Sequence, residues 1–337
     1  MRAISLRGPG QVDIVEIAEP TVGEEEVLVE VHCVGLCGSD LNAYRGTSPM
    51  VTYPRVPGHE VGGVVVGKGE RVPETIPQGA RVTVSPYSEC GSCPACRAGR
   101  PNCCQFNQTL GVQRDGALTE RIAIHHSKVF ASERLTVEEL ALVEPLGVGY
   151  HAANRGRVVA GDTVLVLGCG TVGLGAIAAA ATKGAEVIAL DVDGAKLELA
   201  RKLGAGHSIN SEREDPIGRV GALTSREGVS VAVEAVGAAA TYRLAVEAVA
   251  FAGRVVCVGY AKEDVPLPTR VFVSKELDVL GSRNSLGVFP SVIRMLEERE
   301  RPFTEMITSE IPFAETGRAF AEWAAAPGEF AKILVRA

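Results

Sequence analysis

The stretch Asp162-Thr163-Val164-Leu165-Val166-Leu167-Gly168-Cys169-Gly170-Thr171-Val172-Gly173-Leu174-Gly175 constrains this chain more than any other. Five apolar or β-branched residues lead into Gly-x-Gly-x-x-Gly, and an Ala-rich segment follows to Lys183. That order predicts a strand, a tight turn and a helix. In such a turn Gly168 permits the reversal and Gly170 admits a diphosphate close to the backbone. Gly173 lets helix and strand pack tightly, with the helix N-terminus facing the anion. A glycine fingerprint alone is weak, but a second strand, Glu186-Val187-Ile188-Ala189-Leu190-Asp191, ends in an acid about 20 residues on. An acid at that place accepts hydrogen bonds from an adenosine ribose and repels a 2′-phosphate, which favours NAD over NADP. The competing reading is an aspartate that only caps the next turn.

The cysteines carry the second strong signal. Cys90, Cys93, Cys96 and one of Cys103 and Cys104 bring four thiolates into one short loop, a spacing that suits closed tetrahedral zinc. A redox thiol cluster is the alternative. Nine cysteines in a chain read as cytosolic are not expected to form a disulfide framework. Net charge is −7, and no basic stripe points to nucleic acid. The N-terminus lacks the long apolar run of a signal peptide, and the longest Ala-rich stretch, 176–181, is too short to span a bilayer. These features predict a cytoplasmic protein of 337 residues with two domains, without a membrane partner.

Residues 1–35 alternate as an all-β domain does, with strands over 12–17 and 26–34. A short helix is expected to begin near Ser39 or Asp40, and another near Thr136, where Glu138 and Glu139 fall in the first turn. Pro54–Glu60 forms a rigid loop before a glycine-punctuated strand, 61–67, and further strands are expected at 80–84 and 119–124. From about 148 strands alternate with helices: strands at 163–167, 186–191, 207–210, 230–236, 254–259 and 277–282, with helices such as 194–203 and 239–250. This pattern predicts a doubly wound parallel sheet, an α/β fold of the Rossmann kind. Beyond about 286 the texture reverts to mixed helix and strand, and the last strand is expected to return to the first domain. The expected division is 1–147 with 286–337 for the first domain and 148–285 for the dinucleotide-binding domain.

Cys37, His59, Glu60 and Glu144 are scattered through the first domain, each close to glycine or proline. Together they form a thiolate, an imidazole and two carboxylates, the donor types of a catalytic zinc with an open position. Gly58-His59-Glu60-x2-Gly63-x5-Gly69, Cys37-Gly38-Ser39-Asp40, the cysteine loop and the fingerprint lie along the chain as they do in the zinc-dependent medium-chain alcohol dehydrogenases, which this sequence resembles over essentially its whole length. Val143-Glu144-Pro145-Leu146-Gly147-Val148-Gly149 is similar to the polyol dehydrogenase branch. Pro86-Tyr87, Asn102-Cys103-Cys104 and Gly281-Ser282-Arg283-Asn284 resemble bacterial sugar-acid members of the L-galactonate or L-gulonate 5-dehydrogenase type.

The resemblance implies a GroES-like, mostly-β catalytic domain beside the Rossmann domain, and a homodimer or homotetramer. It implies NAD and two zinc ions, one catalytic and one structural, with Cys104 as the fourth structural ligand. Cys37 and His59 match catalytic zinc ligands, and Glu60 and Glu144 match carboxylates that ligate directly or through water. Counting charge, one thiolate and one carboxylate neutralise Zn²⁺ while a second carboxylate leaves the site at −1, so Glu60 and Glu144 are expected to share the duty. Ser39 is placed like the family's proton-passing hydroxyl, with helix capping as its plainer role. Where the family often has a histidine stands Asn42, which does not titrate. In the cofactor half Gly168, Gly170, Val172 and Gly173 match the diphosphate turn, Asp191 the ribose acceptor and Lys196 a ribose contact. Val258-Gly259-Tyr260 ends a strand where nicotinamide should lie. Arg283 is placed to contact cofactor or a substrate carboxylate, with a structural ion pair as the alternative.

The expected activity is reversible, NAD-dependent oxidation of a secondary alcohol of a polyol or sugar acid to the ketone. Competing expectations are a threonine- or butanediol-type substrate and, outside enzymes, a zinc-stabilised, cofactor-binding regulator. A zinc-free quinone reductase is disfavoured by the same residues.

Overall fold

The computed structural model describes residues 1–337. It divides into two compact units, Met1–Glu144 with Phe289–Glu298 and Thr304–Ala337, and Pro145–Val288 with Arg299–Phe303.

The first unit opens with strands β1 (Arg2–Gly8), β2 (Gln11–Glu16) and β3 (Glu26–Gly35), then helix α1 (Gly38–Tyr44). Next come β4 (Glu60–Lys68), β5 (Arg81–Val84), the single turn α2 (Pro94–Arg97), β6 (Arg121–His125), β7 (Val129–Ala131) and α3 (Val137–Ala141). Alternation in β3 puts Val27, Val29 and Val31 in the core while Glu26, Leu28 and Glu30 lie outside it. The start of α3 follows from its sequence: the Thr136 hydroxyl accepts from the Glu139 amide and the Glu139 carboxylate accepts from Thr136 N. Helix α1 starts at Gly38 with Cys37 as N-cap, one residue earlier than expected, so Ser39 does not cap it. Its cap bond comes instead from Asp40, whose carboxylate accepts from Cys37 N.

Helix α4 (Val143–Arg155) carries the chain into the second unit. There β8 (Thr163–Leu167), α5 (Thr171–Thr182), β9 (Glu186–Asp191), α6 (Gly194–Lys202), β10 (His207–Asn210) and α7 (Pro216–Leu223) are followed by β11 (Val229–Glu234), α8 (Ala239–Ala248), β12 (Val249–Cys257), α9 (Thr269–Lys275) and β13 (Asp278–Gly281). All six strands are parallel in the order β10-β9-β8-β11-β12-β13. Buried on both faces, the inner strands read as unbroken apolar runs rather than alternating ones. The boundaries differ from expectation mainly at β12, which starts at Val249 rather than 254. Val249 pairs with Val229, and the strand then breaks register, with Ala252 at φ +55°, before regaining it at Arg254.

The chain ends with α10 (Phe289–Glu297), β14 (Ile307–Pro312), α11 (Thr316–Ala325) and β15 (Lys332–Arg336). Strand β15 completes the first unit's seven-stranded sheet, lying between β14 and β3. Leu334 sits opposite Gly35 on β3, and Gly35 sits opposite Glu60 on β4. That register brings the chain's last strand beside the first unit's buried acid. No helix is long and apolar enough to cross a membrane.

Candidate active site

The cysteine lobe gathers Cys90, Cys93, Cys96 and Cys104, while Cys103 stays outside the group. Cys93 Sγ lies 3.5 Å from Cys96 Sγ and 3.9 Å from Cys104 Sγ. A tetrahedron with zinc–sulfur arms of about 2.3 Å has edges of about 3.8 Å, so the four sulfurs fit that ion. Backbone amides point at them: Cys90 N and Phe106 N donate to Cys104 Sγ, and Cys93 N donates to Cys90 Sγ. The Ser92 and Cys93 amides bring Cys90 down to about 6, and the amides of Cys96 and Gln105 lower Cys93. Burial, with the hydrogen bond to Cys93, pushes Cys96 up to about 12. A cluster that holds some thiolates and strains others is one that a cation completes.

Cys37, at the cap of α1, and His59 and Glu60, at the start of β4, form a second group, each offering a ligand atom within 4.8 Å of the others. Asp40 ties the two segments together: Oδ2 accepts from Cys37 N at 2.9 Å and Oδ1 accepts from Gly58 N at 3.2 Å. Oδ1 also lies 3.9 Å from His59 Nδ1, which is buried and makes no hydrogen bond. An outer carboxylate facing one ring nitrogen orients an imidazole for metal binding through the other. Burial works against a charge on His59, yet Asp40, Cys37 and Glu144 outweigh it and hold the ring well above the ordinary imidazole range. A buried histidine drawn toward protonation by three surrounding acids marks a pocket short of positive charge. The soft thiolate, imidazole and carboxylate present there suit zinc.

The carboxylates of this group have partners that sequence reasoning missed. Both oxygens of Glu60 accept from Lys332 Nζ on β15, at 2.7 and 2.6 Å, and the same ammonium donates to Leu36 O at 3.0 Å. Gly35 makes room for this acid, because a Cβ there would lie 2.0 Å from Glu60 Oε2. Burial pushes Glu60 up to about 7 against the pull of Lys332, and Glu144 adds to the rise. Burial also opposes the ammonium, but Glu60, Cys37 and Glu144 hold Lys332 above its usual value. The earlier charge count omitted this cation: with Lys332 included, Cys37, Glu60 and Glu144 together neutralise Zn²⁺ plus one lysine. Glu144 lies outside the three-residue group and accepts from the Tyr87 hydroxyl. Burial, then Glu144, raises Tyr87 well above the usual phenol range, which keeps it a donor. The Ser39 hydroxyl is buried and without a partner, and Asn42 is exposed.

In the second unit the fingerprint forms the turn its glycines require. Gly168 sits at φ +94°, and a Cβ on Gly173 would fall 1.8 Å from Gly168 O. Gly170 is the N-cap of α5, and Val172 lies in its first turn. Asp191 does not cap α6. That role belongs to Asp193, whose carboxylate accepts from Ala195 N and Lys196 N. Asp191 instead accepts from Cys169 N at 2.7 Å and Asp193 N at 3.0 Å, which orients its carboxylate at the end of β9 beside the fingerprint turn. Lys196 lies in the first turn of α6 and lends its charge toward Cys169, countering part of the rise that burial and then Asp191 impose on that thiol. Val258, Gly259 and Tyr260 follow β12, and Arg283 follows β13.

Residues 23–134 match the alcohol dehydrogenase GroES-like domain and residues 171–298 the zinc-binding dehydrogenase domain. The chain is 32% identical to L-galactonate-5-dehydrogenase of Escherichia coli (strain K12), over 89% of this chain and 88% of that one. It is 33% identical to sorbitol dehydrogenase of Bacillus subtilis (strain 168), over 99% and 97%. The crystal structure of an alcohol dehydrogenase from Escherichia coli CFT073 complexed with NADH superposes with a TM-score of 0.92, at 30% identity, covering 100% of this chain and 99% of that one. With both domain types, both metal-fitting groups and the dinucleotide turn in place, this chain belongs to the zinc-dependent medium-chain alcohol dehydrogenases and is an oxidoreductase of that family.

Proposed function

We propose that the protein oxidises a secondary alcohol of a polyol or sugar acid reversibly to the ketone, with NAD as its cofactor. The observation that carries this reading is the buried group of Cys37, His59 and Glu60, a donor set for a catalytic zinc. When bound, zinc supplies a Lewis acid that acidifies a hydroxyl, and NAD⁺ supplies the hydride acceptor. Cys37 and His59 would hold the metal, with Asp40 bound to Cys37 N and facing His59 Nδ1. Glu60 and Glu144 would share the remaining place, and Lys332 and Tyr87 are the partners each carboxylate keeps in the protein itself. The unpartnered hydroxyl of Ser39, two residues from Cys37, is placed to accept a hydrogen bond from the reacting alcohol.

Gly168, Gly170, Val172 and Gly173 receive the diphosphate, and Asp191 and Lys196 the adenosine ribose. The choice of NAD over NADP rests on Asp191, which its two backbone bonds hold in place and which would repel a 2′-phosphate. Val258, Gly259, Tyr260 and Arg283 line the nicotinamide end. The polyol and sugar-acid class is supported by the likeness to L-galactonate-5-dehydrogenase and sorbitol dehydrogenase. Nine free cysteines, five of them in the two metal-fitting groups, go with a reducing, cytoplasmic setting. A homodimer or homotetramer rests on the family resemblance.

The test is an NAD⁺-reduction screen over polyols, aldonates and amino alcohols, with zinc counted per chain. Turnover of a polyol or aldonate with two zinc ions per chain is expected. A preference for threonine or butanediol moves the substrate class. One zinc per chain and no turnover overturns the enzymatic reading in favour of a cofactor-binding regulator.

A further inference from the structure

Glu234, the last residue of β11, is fully buried and belongs to none of the groups described above. Its register mates are Leu167 at the end of β8 and Cys257 at the end of β12, so it sits on the carboxyl edge of the parallel sheet. Cofactors of doubly wound sheets bind along that edge. One carboxyl oxygen, Oε1, accepts from Val236 N at 3.0 Å, Gly237 N at 2.8 Å and the Thr241 hydroxyl at 2.7 Å. Its backbone oxygen accepts from Val258 N at 2.9 Å and Gly259 N at 3.1 Å. A single residue therefore gathers the turn after β11 and the turn after β12.

The two turns fit together with no room to spare. A Cβ on Gly259 would lie 2.2 Å from Gly237 N and 2.8 Å from Glu234 Oε2, and a Cβ on Gly237 would lie 2.5 Å from Tyr260 O. Val236, half exposed, lies against the fingerprint turn, since a Cβ on Gly168 would meet its side chain at 2.6 Å. Residues 235–237 thus lie between the diphosphate turn and residues 258–260. A solvent-facing acid could not do this: surface carboxylates exchange partners with water, whereas a buried acceptor with fixed donors leaves those donors unsatisfied when it is removed.

We propose that Glu234 is a positioning residue for the cofactor: it locks the turns 235–237 and 258–260 in the shape that receives the nicotinamide end of NAD. The proposal rests on the reading above that Val258, Gly259 and Tyr260 border the nicotinamide. It assigns Glu234 no contact with substrate and no proton transfer. Removing its side chain is expected to weaken cofactor binding by loosening the turn 235–237, against which 258–260 packs, while the metal group in the first unit stays intact.

The test compares Glu234→Ala, Glu234→Gln, Thr241→Val and Asp191→Ala with the parent protein, reading NADH affinity by calorimetry, backbone amide exchange and zinc content. Loss of an acceptor shared by three donors in E234A is expected to weaken NADH about tenfold and speed exchange at 236–237, with zinc content unchanged, while 258–259 keep their bonds to the backbone oxygen of residue 234. E234Q keeps an acceptor oxygen and should stay within about twofold of the parent. T241V removes one donor and keeps the acid, so it folds even where E234A does not. Its smaller expected effect, about a twofold loss with faster exchange at 237, decides the matter in that case. Faster exchange with unchanged NADH affinity overturns the proposal, and so does unchanged exchange. If the parent binds NADH and D191A loses it while the Glu234 variants bind normally, this inference fails and the cofactor reading stands. If D191A binds as the parent does, the cofactor reading itself fails.

Discussion

Replacing Lys332 with Met tests the account of the buried acid most directly. The ammonium touches both oxygens of Glu60, at 2.7 and 2.6 Å, and Met of similar length leaves the space filled but the charge gone. Burial has already pushed Glu60 up to about 7, well above the value near 4.3 of an unfolded carboxyl. A raised folded value means that Glu60's contribution to stability is complete below the unfolded value and declines as pH rises, levelling off near the folded one. In the parent that decline ends near pH 7. Without Lys332 the folded value climbs further, so the decline continues, at about 1.4 kcal/mol per pH unit. K332M should therefore differ from the parent by less than about 1 kcal/mol at pH 6.5 and by about 2–3 kcal/mol at pH 9. The ceiling is the roughly 3–5 kcal/mol that an orphaned buried charge costs. Urea unfolding of metal-depleted protein measures this, read from Trp323, the chain's single tryptophan, which packs on the first unit's core. An equal penalty at both pH values, or none at pH 9, would refute the reasoning.

Other substitutions probe separate features. Gly35→Ala puts a methyl 2.0 Å from Glu60 Oε2, so zinc content should fall toward one per chain with activity below about a tenth of the parent's. Retention of both zinc ions with full activity would contradict the account of that close approach. Cys104→Ser weakens a soft site, and zinc analysis should show one ion lost from the lobe while Kd for NADH holds within about twofold. On the acid side, burial works against the Glu138 carboxylate, but Thr136, a backbone amide and Arg336 outweigh it and hold the group below its usual range. A depressed value contributes stability that is present above the unfolded value and lost as pH falls through the folded one. Glu138→Gln should therefore flatten part of the acid limb of the unfolding curve below about pH 4.3 and leave the neutral region nearly parallel to the parent's. An unchanged acid limb would show the ion pair to be idle.

Much of the molecule is written in short stretches of sequence. The strand-turn-helix at Thr163–Thr182, the acid at Asp191 and the cysteine spacing of 90, 93 and 96 with one of 103 and 104 are local patterns, and each is fixed by a few backbone angles along contiguous chain. Burial on both faces makes the inner strands of the parallel sheet legible as apolar runs. Strand ends were less legible, as at β12, where Val249 joins the sheet only because Val229 lies opposite. The capping role of Asp40 carried a signal, an acid three residues after the cap, but its reach to Gly58 and His59 did not.

What only the tertiary structure decided is which distant groups meet. Lys332 lies 272 residues from Glu60, and nothing near either residue in the chain points to the other. They meet because Gly35 has Leu334 opposite it on one side and Glu60 on the other. Tyr87 with Glu144, and Glu234 beneath two turns, are products of packing in the same way. Sequence determines secondary structure and closely spaced ligand sets because their geometry is set over a few bonds. The partners that tune those ligands' charge are chosen by strand register across the whole sheet, a long-range outcome in which burial makes any unmatched charge too costly to leave unpaired.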